Sequence, residues 1–167
     1  MRLLTTKEAL DRISLQNRPI KAIKDLYNDF EGETRERFEV RWNFLSLPHL
    51  TNLLEDFLRP YEQVVITVED WSRDAWSENL YLYETLRRHS DNRGTLEDLS
   101  SHLFHHFEFW EVRSYLAVMM MNGWNFYCTT TSQYSRFHFH HDGFVTAWAN
   151  SPQAIAELRV ELQRPRS

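Results

Sequence analysis

A chain of 167 residues, 42% hydrophobic and 26% charged, has the make-up of one globular domain, able to bury about 68–70% of its unfolded surface. Its formal charge of −5 argues against binding a nucleic-acid backbone, which needs clustered Lys and Arg. The single cysteine, Cys128, excludes an intramolecular disulfide, and no uncharged apolar run approaches the ~20 residues that span a bilayer. Because the residues after Met1 also lack the apolar core and cleavage site of a secretory signal, the expected location is cytoplasmic.

From the N-terminus, Thr5-x-x-Glu8 has the form of a capping box ahead of Ala9, Leu10 and Ile13, so a helix is expected over 5–15. Pro19 suits a first helical position, and Ile20, Ile23, Tyr27 and Phe30 extend that pattern to a second helix, 19–30. Over 37–45 the period changes to two: Phe38, Val40, Trp42 and Phe44 alternate with Arg37, Glu39, Arg41 and Asn43, which predicts a half-buried strand. Leu47, Leu50, Leu54, Phe57 and Leu58 return to helical spacing before Pro60. The β-branched run at 63–69 reads as a strand buried on both faces. Strand, helix and strand here allow a right-handed parallel crossover or an antiparallel arrangement. Asp70 or Ser72 is read as the cap of a helix over 73–89, with Asp74 complementing its dipole.

The segment 96–121 carries apolar residues on two helical faces: Leu99, Leu103, Phe107, Trp110, Val118 and Met121 on one, Phe109, Val112, Leu116 and Met120 on the other. That pattern predicts a long central helix enclosed by the domain, with Thr95-x-x-Asp98 at its start and Gly123 at its end. A hairpin turning at Asn122-Gly123 is the competing reading. Strands 124–131, 136–141 and 144–149 then form a meander, and Ser151-Pro152 opens a last helix with Ile155, Leu158 and Leu162 inward. The expectation is an α+β fold spanning 1–167 as one domain. Its sheet is mixed or mostly antiparallel with about five strands, packed on the long helix and about five others.

No glycine belongs to a phosphate-binding loop, so no nucleotide cofactor is expected; Gly32, Gly94, Gly123 and Gly143 all sit at turns. The histidines are the sharpest chemical feature, six of the eight falling at 102, 105, 106, 138, 140 and 141. His102 and His106 share a face of a helix, and His138 and His140 share a face of a strand. Convergence of these four would make a site for zinc or another transition metal, with Glu108 or Asp142 as carboxylate ligands. His105–Glu108 and His141–Asp142 are local pairs of the kind used in acid–base chemistry. Against these stands the plainer reading of a polar strand face alternating with Phe137 and Phe139. Cys128, mid-strand, reads as a small buried hydrophobe, and Met119–Met121 as core filling.

With aromatics at 14%, a partner surface is a second option, and Trp71, Trp124 and Trp148 at element edges are its candidate anchors. The leading functional expectation is a non-enzymatic protein-interaction domain, in the manner of a small acidic inhibitor or immunity-type protein that binds a basic partner. Such a domain should present an exposed aromatic patch rimmed by acids. The alternatives are a metal-dependent or acid–base enzyme built on His102, His106, His138 and His140, and a self-associating structural domain.

Overall fold

A computed structural model describes residues 1–14, 22–28, 32–40, 43, 45–70, 81, 84–85, 100–132 and 135–163. Strong local signals produce the elements expected of them. At the start of α1 (Thr6–Ser14), the Thr5 backbone N–H donates to Glu8 Oε2 at 2.8 Å and the Glu8 N–H donates to Thr5 Oγ1 at 3.2 Å, a reciprocal capping box. Helix α2 (Leu47–Leu58) buries Leu47, Leu50, Leu54, Phe57 and Leu58, and the last helix, α4 (Pro152–Gln163), buries Ile155 and Leu158.

Seven strands form one sheet in the order β1-β4-β3-β5-β6-β7-β2: β1 Arg2–Leu4, β2 Thr34–Glu39, β3 Gln63–Asp70, β4 Ser101–His105, β5 Asn125–Thr130, β6 Ser135–His140 and β7 Phe144–Ala149. Every neighbouring pair is antiparallel. The meander β5-β6-β7 and the doubly buried β3 match the sequence pattern. The parallel crossover does not occur, because β2 lies at the far edge beside β7, with three strands between it and β3. Arg35, Arg37 and Glu39 are exposed on β2, and charges of this kind protect an edge strand from pairing with another chain.

The largest departure is in the segment predicted as one helix over 96–121. Among its described residues, 101–105 are strand β4, 106–108 a 3-10 turn, and only α3 (Phe109–Met121) is α-helical. Strand β4 is buried on both faces, so it lacks alternation, and its apolar residues fall by chance on a helical wheel. Tertiary pairing decides the matter: β4 fills the space between β1 and β3 and satisfies backbone groups on both. β1 itself spans three residues, too short to reveal a period. In the predicted helix 19–30, the described part is a 3-10 turn at Ile23–Tyr27. Residues 71–80 and 86–99 lie outside the described residues, so the expected roles of Ser72, Asp74 and Thr95 at helix starts do too; Tyr81, Glu84 and Thr85 are helical.

Register places side chains on two faces, because directly opposed residues in antiparallel strands point the same way. On one face lie His102, Ile66, Cys128, Phe137 and Ala147, opposed in turn across β4, β3, β5, β6 and β7. Helices α2, α3 and α4 cover this face with Leu50, Leu54, Leu116, Met119, Met120, Ile155 and Leu158. The other face carries Ser101, Thr67, Tyr127, His138 and Thr146. There Ala9 and Ile13 of α1, with Leu26, close a smaller core over Leu4, Val65, Leu103 and Tyr127. Arg136 pins the 3-10 turn to this face, donating to the Asn28 carbonyl and the Glu33 carboxylate, each at 2.8 Å.

Candidate functional site

The four histidines expected to meet do not. His102 is fully buried on the helix-covered face, tilted against Tyr115 at 4.9 Å between ring centroids. His138 and His140 share a face, with rings 6.0 Å apart, but it is the opposite one. His106 belongs to the 3-10 turn after β4, where its ring is exposed. The reason is the strand at 101–105: a period of two replaces the helical spacing that would align positions 102 and 106.

His138 instead forms a pair with Glu69. Its Nε2 lies 3.2 Å from Glu69 Oε2, its ring stacks on Tyr127 at 4.3 Å, and Tyr27 meets it edge-on at 5.5 Å. The hydrogen bond from His138 holds the Glu69 carboxyl below the usual carboxylate range, against the opposing effect of its burial. Burial, and then the Glu69 charge, pushes the Tyr127 phenol up. A carboxylate that orients an imidazole is the arrangement used to hold or move a proton.

His140, His141 and Asp142, at the turn between β6 and β7, are the one group of three metal-ligating side chains found close together among the described residues, one ligand atom from each lying within 4.8 Å of the others. His140 and Asp142 belong to the expected ligand types, and the His141–Asp142 pair is real, with Nε2 3.2 Å from Oδ1. Burial first, then the neighbouring His141, lowers the His140 pKa, while Asp142 opposes the shift. In the other local pair, Glu108 accepts from the His105 backbone N–H at 2.8 Å and not from the ring.

The expected tryptophan anchors also change place. Trp124 and Trp148 are fully buried. Trp124 follows the turn at Gly123 directly into the core beneath α3. Trp148 lies under Tyr27 at 5.4 Å and Arg136 at 4.8 Å, because the 3-10 turn covers that end of β7. Trp71 is outside the described residues.

Two exposed aromatics, Phe107 and Trp110, are ones assigned by periodicity to the inside. Of the two apolar faces of the predicted long helix, the one holding Val112, Leu116 and Met120 is buried. Of the other, Phe107 and Trp110 are each 66% exposed and Met121 39% exposed, whereas Leu103 and Val118 are buried. Phe107, Trp110, Ser114, Ala117 and Met121 follow one another at alternating intervals of three and four, a single stripe along α3 and the turn before it. Acids stand beside it. Glu111 is adjacent in the chain, and Asp56 reaches the stripe through Arg113, whose guanidinium lies 3.9 Å from Asp56 and 5.0 Å from the Trp110 ring centroid. From Asp56 a groove of about 500 Å³ continues between α2 and α4, edged by Glu157 and Glu161 over Leu53, Phe57 and Leu158.

No known protein family, curated protein or solved structure matches the chain. Among the described residues, no helix is long and apolar enough to cross a membrane.

Proposed function

We propose that this chain is a protein-interaction domain whose α3 stripe binds a basic protein partner, as a small acidic inhibitor or immunity-type protein would. The observation that carries the reading is the exposure of Phe107 and Trp110 at the head of a helix whose other apolar face is already buried. Large rings left in water on an otherwise well-filled fold are the usual anchors of a partner surface. The acidic residues Glu111 and Asp56 beside the stripe, and Glu157 and Glu161 along the adjoining groove, would select a positively charged partner and speed its approach. The overall charge of −5 favours the same partner.

The test compares the wild-type chain with a Phe107→Ala/Trp110→Ala variant in affinity capture from the source cells, alongside sedimentation of each protein alone. Both substitutions lie at exposed positions, so fold and thermal stability should be preserved. The expected result is a co-purifying protein of positive net charge that the variant loses and that high salt weakens. Capture unchanged by the variant overturns the proposal. So does a wild-type homodimer that the variant dissolves, which would make the stripe a self-association surface.

A further inference from the structure

The turn from β6 to β7 sets two imidazoles against one carboxylate, and the other contacts of the rings show where their protons lie. Asn125 Oδ1 accepts the His141 backbone N–H at 2.8 Å, and His141 Nδ1 lies 2.8 Å from the same oxygen. The atom that accepts a backbone N–H is the carbonyl end of the side chain, so Nδ1 donates to it, and in the neutral ring Nε2 then carries the lone pair. His140 Nδ1 accepts the Asp142 backbone N–H at 3.2 Å, so it is unprotonated too. These two nitrogens are the ones that face Asp142, Nε2 of His141 at 3.2 Å from Oδ1 and Nδ1 of His140 at 3.4 Å from Oδ2. With both rings neutral, two ring nitrogens and a carboxylate therefore face one another, the Asp142 backbone N–H donating to one of them.

We propose that this turn binds a divalent transition ion of the zinc type through His140 Nδ1, His141 Nε2 and the Asp142 carboxylate, with Asn125 as the residue that positions His141. Two nitrogens and an oxygen suit zinc and its neighbours better than calcium or magnesium, which prefer oxygen alone. Donors bound tetrahedrally at about 2.0–2.1 Å stand about 3.3 Å apart, near the 3.4 and 3.2 Å at which His140 and His141 meet the two different oxygens of Asp142, Oδ2 and Oδ1. Bringing the third side of the triangle in from within 4.8 Å asks only for adjustment of half-exposed side chains. The metal would replace the 3.2 Å contact that His140 Nδ1 now accepts. Asn125, largely buried on β5, ties the ring of His141 to the sheet, the outer support that metal-bound histidines commonly have. Three protein ligands leave a fourth tetrahedral position for water.

The experiment titrates Zn²⁺, and separately Co²⁺, into the full chain in competition with a chromophoric chelator at neutral pH. One equivalent should bind, and bound Co²⁺ should show the intense visible bands of a low-coordinate site. His141→Ala and Asp142→Asn, both at well-exposed positions that leave folding intact, should each weaken binding at least ~10-fold, and Asn125→Ala should weaken it ~10-fold or more. His106→Ala, an exposed imidazole outside the turn, should leave affinity unchanged. Absence of uptake, uptake insensitive to both turn variants, or uptake abolished by His106→Ala overturns the assignment.

Discussion

Glu55 on α2 is fully buried, and a buried carboxylate loses several kcal/mol of hydration unless other groups replace it. Four hydrogen bonds do so: Arg59 Nε and Nη2 donate at 2.9 and 3.1 Å, Arg113 Nη2 at 3.0 Å and the Tyr61 hydroxyl at 2.9 Å. Burial pushes the Tyr61 phenol up, and its hydrogen bond to Glu55 adds to the shift. The network ties α2 to α3. It also reaches the proposed partner surface, because Arg113 lies 5.3 and 5.0 Å from the ring centroids of Phe109 and Trp110. Replacing Glu55 with Gln leaves Arg113 and Tyr61 facing a neutral amide. Glu55→Gln should therefore destabilise the fold by about 3 kcal/mol, read as a shift in the urea midpoint. A loss under about 1 kcal/mol would mean that water takes over the role of the carboxylate. The chain shows Glu55 only as one more acid on a helix, four residues ahead of Arg59, with nothing local to mark Arg113, 58 positions away.

At the scale of elements, the meander depends on one residue in its second turn. Gly143 has φ of 82°, and a Cβ there would sit 3.1 Å from the Val40 carbonyl oxygen. That approach is fixed, because the Val40 N–H donates to the Gly143 carbonyl at 2.7 Å, joining the end of β2 to the hairpin. Gly123, with φ of 63°, closes α3, but its Cβ would meet only His141 Cβ at an ordinary 3.9 Å. Gly123→Ala should cost about 1 kcal/mol, the penalty of the left-handed conformation alone. Gly143→Ala should cost about 2 kcal/mol or more, since the steric contact adds to the same penalty. Thermal unfolding of the two variants side by side checks the order, and equal losses would remove the role given to the Val40 contact. Both glycines were recognisable as turn residues from their polar surroundings. Their unequal cost was not, because Val40 lies 103 positions from Gly143 in the chain.

Across the whole molecule, the sheet is closed by distant pairings, with β1 at one edge and β2 at the other. Cys128 sits on β5, the central strand, opposed to Ile66 and Phe137 and sealed by the helices above. Burial raises its thiol well above the ordinary range, so the reactive thiolate is scarce as well as inaccessible. The native protein should resist alkylation at neutral pH, and labelling should quicken with urea along the same dependence as global unfolding. Rapid labelling without denaturant would show that the sheet opens locally at its centre. This inertness agrees with the reading of Cys128 as a small core hydrophobe.

What the sequence determined by itself was whatever nearest neighbours decide. The Thr5–Glu8 cap, the stripe of α2, the β-branched run of β3, the alternating strands of the meander and the inward face of α4 each depend on residues a few positions apart. The tertiary structure alone decided the rest. Ser101–His105 became a strand because β1 and β3 offered backbone partners on both sides, and that change separated His102 from His106. Strand register then put His102 and His138 on opposite faces of the sheet, which no local pattern specifies. The same packing chose which apolar stripe of α3 to bury, leaving Phe107 and Trp110 in water while Trp124 and Trp148 went inside. Period and caps are short-range properties of the chain, whereas the face on which a side chain emerges is set by its neighbours in space.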